Sequence, residues 1–529
     1  MKSLLLLSLT FVGVVSKSVD KDEIIANLQK QLAAAKDELN HVKEQSNSKK
    51  KNLHEYTANG RRRLVDSDSW YKVGDPSKTC SWVAAYGKRC GVKGWENGDL
   101  TTKVLASEAC LSACAYTSEI ADVIISAEGT DCGNTDCMNR LHPAIPINVY
   151  ADPGDIILFD TPAATCDVKD HDLYEENIVN GANCTASLHQ LAGPLGINGA
   201  VAGDKIAITI LDVVPTNWGW TYTVPGLGFL SDLPEDTYFN WWQPLMSSDG
   251  IHPESWYSDR YPNVSIPYSP FPGLVTVLPD QDIVDSTAAR EAFVVSRGGS
   301  AAPAGNTELA YPSSVCGEGG SHADECLRTI APGAFFGNED TQRIAPGSTL
   351  IVDCFVDGCG IAIGDVHGGQ GDGEVCITAI EMEAEVYISV DIIKSDDPRY
   401  VLPSPTLIGG STIKDYTPSE WISFTGFPEK EQGLIIPQHA TFGSEIENMT
   451  FVADNMALAG RNALLHCIQF LTDVLGYSFN QGLTLASAVV DLRVAQVVDK
   501  PAIGVEALLP LDIFQGDAYE KVYAASFGE

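Results

Sequence analysis

Positive charge is what this sequence has least of. It carries 34 lysines and arginines against 70 aspartates and glutamates, a formal net charge of −36. Residues 1–63 account for +5, so the rest of the chain carries −41. Such a surface repels nucleic acid and anionic lipid, which excludes both as partners, and it is indifferent to a small neutral substrate. Long apolar runs are equally scarce. One stands at the very start, and no later segment is apolar enough to cross a bilayer, which takes roughly 20 residues. No glycine-rich phosphate loop follows a strand pattern, so a nucleotide site is excluded too. What remains, 44 % hydrophobic and 20 % charged over 529 residues, is a globular composition with enough length for a large core.

The first run, Met1 to Ser16, has one lysine, an apolar stretch and small residues at its end. That is the layout of a signal peptide, assigned to 1–18. The 14 cysteines are even in number, which suits disulfides, and Asn183, Asn263 and Asn448 open glycosylation sequons. Together they predict a secreted, extracellular glycoprotein. Within 19–66, Ile25, Leu28, Leu32, Ala35, Leu39 and Val42 recur at spacings of three and four. This is the seam of a short coiled coil that would make a homo-oligomer, or else a solvated helical linker. A basic linker follows. Residues 67–118 hold Cys80, Cys90, Cys110 and Cys114 with Trp70, Trp82 and Trp95, a disulfide-stapled module whose three pairings stay open. It resembles short Trp/Cys modules of secreted algal and protist proteins.

From residue 142 the texture changes, and a single domain is predicted over 142–525. Gly-Asp or Pro-Gly turns open β-branched runs at 149–159, 203–213, 346–354 and 373–380. Helical spacing is confined to the end, at 453–475 and from Thr484 to Asp491. Strands first and helices last predict a β-rich α+β fold, sandwich-like rather than doubly wound. Residues 281–330, rich in Gly, Ala and Ser, read as an insertion closed by Cys316 and Cys326; Cys132 and Cys137 suit a similar local bridge.

The densest polar stretch is Gly364-Asp-Val-His-Gly-Gly-Gln-Gly-Asp-Gly-Glu374. It lies between strand-like 360–363 and strand-like 375–380. Asp365 and His367 are two apart, so on a strand they share a face, and the same holds for Asp372 and Glu374. Carboxylates and an imidazole at one mouth suit a divalent metal or a general base acting on water. A plain hairpin turn accounts for Gly371-Asp372-Gly373 but not for Asp365 and His367 before it. His142, His171 and His322 have no such setting.

This run, with the residues to Glu383, resembles the signature of the acetamidase/formamidase family. Pro332-Gly-Ala-Phe-Phe-Gly-Asn-Glu-Asp340, His189-Gln-Leu-Ala-Gly-Pro194 and Asp491-Leu-Arg-Val-Ala-Gln-Val-Val-Asp499 are similar to other family motifs, in family order. The resemblance spans 142–511. It implies the family's β-rich fold and hydrolysis of small linear amides to acid and ammonia, assisted by a divalent metal, zinc first. It makes His189, Asp365 and His367 the metal or water ligands. Glu374 becomes the proton shuttle with Asp372 beside it, and Asn338 and Asp340 hold the amide or orient a histidine. Asp491 and Arg493 are expected to be a buried structural pair. Phe335-Phe336 depart from the family's pattern, and Phe336 puts bulk where a glycine stands. The alternative is a chain that kept the fold without the activity and serves as an extracellular structural or interaction protein.

Overall fold

The computed structural model describes residues 121–127, 136–164, 188–297, 301–409, 416–430, 455–498 and 503–527, apart from 249, and three short strands nearer the start. The signal peptide, the coiled-coil pattern, the linker, nearly all of the Cys-rich module, Asn183 and Asn448 lie outside the described residues. Two compact units divide at 113/114. In the first, strands Tyr71–Lys72, Lys93–Glu96 and Asp99–Leu105 form one antiparallel sheet.

The second unit is built on a 15-stranded sheet system. Its spine is the pair Lys205–Thr223 and Glu381–Ile393, antiparallel over most of their length. Both strands are β-branched and aromatic with charge only at intervals, the pattern of strands covered on both faces. Tyr238–Met246 and Thr349–Asp353 add to the first of them, and Ile157–Thr161 to the second. Strand Ile361–His367 is buried at every residue and lies between Leu191–Ile197 and Phe271–Thr276. Its last two residues pair with the start of the spine, Val366 opposite Met382 and His367 opposite Glu381.

The run 375–380 is not a strand. The extended backbone resumes only at Glu381, because Gly373, Glu374 and Ile377 all take positive φ and break the ladder. The chain from Gly368 to Ile380 is an irregular loop, sealed at its base by Gly368 N to Ile380 O and Ile380 N to Gly369 O.

A second layer covers one end of this sheet. Strands Trp421–Gly426, Gly504–Pro510 and Asp491–Gln496 form a three-stranded antiparallel sheet. Helix Met456–Leu475 lies against it, so close that a Cβ on Gly426 would meet Ala459 O at 2.1 Å. Its buried Leu464, Cys467, Ile468 and Leu471 recur at three and four, and it stops at Gly476 in the left-handed conformation. The next helix runs Phe479–Val489, earlier than Thr484–Asp491, because Ser478 and Gln481 form a capping box; Asp491 opens a strand instead.

Helices are not confined to the end. Gln281–Ser296 is helical inside the expected insertion, started by Asp280, whose side chain caps Ile283 N. Its buried residues are Val284, Thr287 and Glu291, a face with a single large apolar side chain, which is why its hydrophobic pattern is faint. Cys316 and Cys326 are bonded as expected, and a second bridge, Cys354–Cys359, closes a five-residue turn. Cys137 is also disulfide-bonded, while Cys132 lies outside the described residues. Cys376 and Cys467 are buried free thiols.

Candidate active site

The site forms where Ile361–His367 ends. Cross-strand pairing sets His367 between Phe271 on one side and Glu381 on the other. The Phe271 ring stands edge-on to the imidazole with centroids 5.1 Å apart, and Glu381 Oε2 lies 3.3 Å from His367 Nε2. Asp365, two residues back, brings Oδ1 to 3.6 Å from the same nitrogen. Its other oxygen lies 3.8 Å from His189 Nε2. His189 is aimed from behind by Thr329, whose hydroxyl accepts from the His189 amide at 2.6 Å and sits 3.2 Å from Nδ1.

Asp340 arrives from strand Phe336–Asn338, which pairs with Phe271–Thr276. Asn338 Nδ2 donates to its Oδ2 at 2.9 Å. Room for this carboxylate depends on Gly273: a Cβ there would come within 2.6 Å of both Asp340 Oδ1 and His367 Cε1. Phe336 has φ 65, a conformation that a glycine adopts freely and that costs a phenylalanine about 1–3 kcal/mol. Both Phe335 and Phe336 are buried among core residues.

Two sets of donors here could hold a metal ion, Asp340–Asp365–His367 and His367–Glu374–Glu381, each with its ligand atoms within 4.8 Å of one another. His189 belongs to neither set and meets the cluster through Asp365. Asp372 stands apart from the cluster. The same-face argument for Asp372 and Glu374 fails because positive φ at Gly373 and Glu374 turns the chain between them. Glu374 joins the cluster, while Asp372 Oδ1 accepts from Gln342 Nε2 at 2.9 Å. Asp491 and Arg493 are bonded at 2.7 Å, as a pair whose arginine is half exposed rather than buried.

The electrostatics follow from burying five ionisable groups side by side. Burial opposes ionisation of Asp365, but His189 and His367 overcome it and hold that carboxyl down to about 2. Burial lifts Asp340 well above the carboxylate range, and the Asp365 charge adds to the lift. Burial does the same to Glu374, helped by Asp340. Glu381 is raised by burial, against the pull of His367. Burial opposes charge on His367, yet Glu381 and Asp365 raise it well above its ordinary value.

Glu381 is the functional candidate that sequence reading missed. Fourteen residues separate it from His367, and strand register alone makes them neighbours. A signal existed, since it is the first acid in the otherwise apolar run Val375 to Met382. Hydrogen bonding is incomplete throughout the cluster. His367 Nδ1 and Nε2, Asp340 Oδ1, Asn338 Oδ1 and Glu381 Oε2 are buried without a hydrogen-bond partner.

The sequence pattern of the Acetamidase/Formamidase family matches residues 128–516. The chain is 28 % identical over 394 residues to a formamidase of Methylophilus methylotrophus, covering 72 % of this chain and 89 % of that one. It is 30 % identical over 367 residues to an acetamidase of Mycolicibacterium smegmatis, covering 63 % and 80 %. Among solved structures, a gamma lactamase from Delftia acidovorans aligns with a TM-score of 0.63 at 26 % identity, over 75 % of this chain and 94 % of that one.

Proposed function

The chain belongs to the acetamidase/formamidase family, and on that premise we propose that the cluster around His367 hydrolyses the carbon–nitrogen bond of small linear amides to a carboxylic acid and ammonia. The observation that carries this reading is a set of buried polar atoms without a hydrogen-bond partner, His367 Nδ1, Asp340 Oδ1 and Asn338 Oδ1, beside a His367 Nε2–Glu381 Oε2 contact of 3.3 Å that makes no aligned hydrogen bond. Leaving one such atom unpaired costs about 1–3 kcal/mol, so several at one point mark a place built to receive something polar.

A divalent cation fits the donors, all imidazole nitrogen and carboxylate oxygen, and zinc is the first choice for such a set. His367, Asp365 and Asp340 would hold it. Bound there, it would supply Lewis-acid polarisation of the amide carbonyl and a water of lowered pKa. The chain's own groups do the rest. Asp365, kept anionic by His189 and His367, is the fixed negative charge of the site. Asn338 has its amide nitrogen committed to Asp340 and its oxygen free, so it accepts an N–H of the substrate. Glu374, protonated because burial and Asp340 disfavour its charge, donates a proton to the departing nitrogen. Without that proton the leaving group would be an amide anion, which no site at neutral pH can expel.

Export remains part of the proposal, and two bridges, Cys316–Cys326 and Cys354–Cys359, suit an oxidising compartment. The test is ammonia release from formamide, acetamide and propionamide by the purified protein, with zinc and after chelation, and amino-acid formation from a γ-lactam. Release that chelation abolishes supports the reading. A folded, zinc-loaded protein that turns over none of these would leave the alternative of a retired family member.

A further inference from the structure

Glu374 is carried on backbone that resists its own conformation. Within five residues the loop holds Gly373 at φ 115, Glu374 at 42 and Ile377 at 80, and the last two are residues that left-handed geometry penalises. The surrounding structure must therefore impose this shape. The chain answers just before the strained turn. Gln342 Nε2 donates to Asp372 Oδ1 at 2.9 Å and to Asp491 Oδ1 at 3.0 Å. The same Asp491 oxygen accepts from Asp372 N at 3.0 Å, and Leu492 N donates to Asp372 O at 2.8 Å. Gly371 N donates to Ser487 O at 2.9 Å. Arg493 binds the other Asp491 oxygen at 2.7 Å, so both oxygens of that carboxylate are engaged. Gln342 and the Asp491 carboxylate are largely buried, at 7 % and 13 % exposure.

We propose that Asp491 and Gln342 are positioning residues for Glu374. They grip Asp372, and through it they fix the backbone that aims the proton donor at the reacting nitrogen. The inference rests on the amidase reading and on Glu374 as its acid. Asp372 is then an anchor with both faces of its peptide and its carboxylate in use. The C-terminal layer, which holds no member of the cluster, sets the geometry of the reaction by this route.

A misplacement of about 1 Å costs about a hundredfold in rate. Asp491→Ala and Gln342→Leu should each lower kcat for formamide by about tenfold to a hundredfold and leave KM within about twofold. Asp491→Asn keeps an oxygen for the Asp372 amide and should recover most of the rate. The deciding measurement is a double-mutant cycle: in a Glu374→Gln background, Asp491→Ala should cost nothing more. Thermal melts confirm that each variant is folded, and Asp491→Asn with Gln342→Leu carry the test if Asp491→Ala is not. The same loss in both backgrounds, or a rise in KM with kcat unchanged, overturns the positioning role while the amidase reading stands. Ammonia release unaffected by Glu374→Gln removes the proton donor itself, and this inference with it.

Discussion

Among the described residues, one cluster of histidine and carboxylate gathers around His367 and another around His142, and they differ in one respect that matters. Around His367 both ring nitrogens, an oxygen of Asp340 and an oxygen of Glu381 are buried without an aligned hydrogen bond, although Nε2 lies within ion-pair distance of Glu381 and Asp365. Around His142 both ring nitrogens are answered. Ala144 N donates to His142 Nδ1 at 3.1 Å, and His142 Nε2 lies 3.2 Å from Glu325 Oε2. His322 Nδ1 and Gln281 Nε2 reach the same oxygen at 3.4 and 3.3 Å. Both clusters have the donor count for a metal. In the second, however, the backbone amide on Nδ1 places the ring proton on Nε2, where it serves Glu325 and where a metal would need a lone pair. Residue types and distances are alike; unmet hydrogen-bonding capacity tells a site from a clasp.

The comparison breaks most sharply on metal content. Asp365→Ala or His367→Ala should remove bound zinc and lower amide turnover by about a thousandfold or more, since the charge on the carbonyl is then no longer stabilised. His322→Ala, made in the clasp, should leave the zinc stoichiometry and the turnover unchanged. Elemental analysis of the three proteins after dialysis decides it. Zinc lost from His322→Ala and kept in His367→Ala would reverse the assignment of the two clusters.

The same contrast explains what could be read from the sequence. Asp365 and His367 were legible as a pair two apart at a strand's end, and the structure does bring Asp365 Oδ1 to 3.6 Å from His367 Nε2, although Asp365 itself takes a positive φ of 53. Glu381 was not, because only pairing across the sheet puts it opposite His367. The extension of period two past the glycines failed, since Gly373 and Glu374 leave the extended region and send Asp372 and Glu374 to different partners. The β-rich fold with late helices was legible in runs such as Lys205–Thr223 and in the three- and four-residue spacing of Met456–Leu475. Helix Gln281–Ser296 was not, since its buried face is Val284, Thr287 and Glu291 and shows no apolar stripe. The clasp was passed over for a similar reason: His142 and His322 lie 180 residues apart with no motif around either, and folding alone stacks them 4.2 Å apart.

Beside the clasp the chain carries a covalent staple. Cys316–Cys326 closes a loop of ten residues that ends next to Glu325. A loop of that length restrains the unfolded chain by about 2–3 kcal/mol. Cys316→Ala/Cys326→Ala should lower stability by about that amount in denaturant titration, with zinc content unchanged. A loss of zinc in the double variant would tie the staple to the active site and undo the separation drawn between the two regions.

The smallest effect is the most specific to the clasp. Burial lowers the His142 imidazole below its ordinary 6.5, an effect its hydrogen bond to Glu325 offsets only in part. His322 and Asp285 also face it, with opposite signs. The folded chain therefore binds protons at His142 less readily than the unfolded chain. The stability this contributes is full above pH about 6.5 and is lost as pH falls through the lower, folded-state value. Glu325, held below its usual range by the same histidines, adds a loss in the same direction, but only at more acid pH. Between pH 7 and 5 the melting temperature of the wild-type protein should fall more than that of His142→Asn, which has no imidazole to protonate. Parallel curves for the two proteins would mean that His142 titrates alike folded and unfolded, and the clasp would then be open to solvent rather than closed.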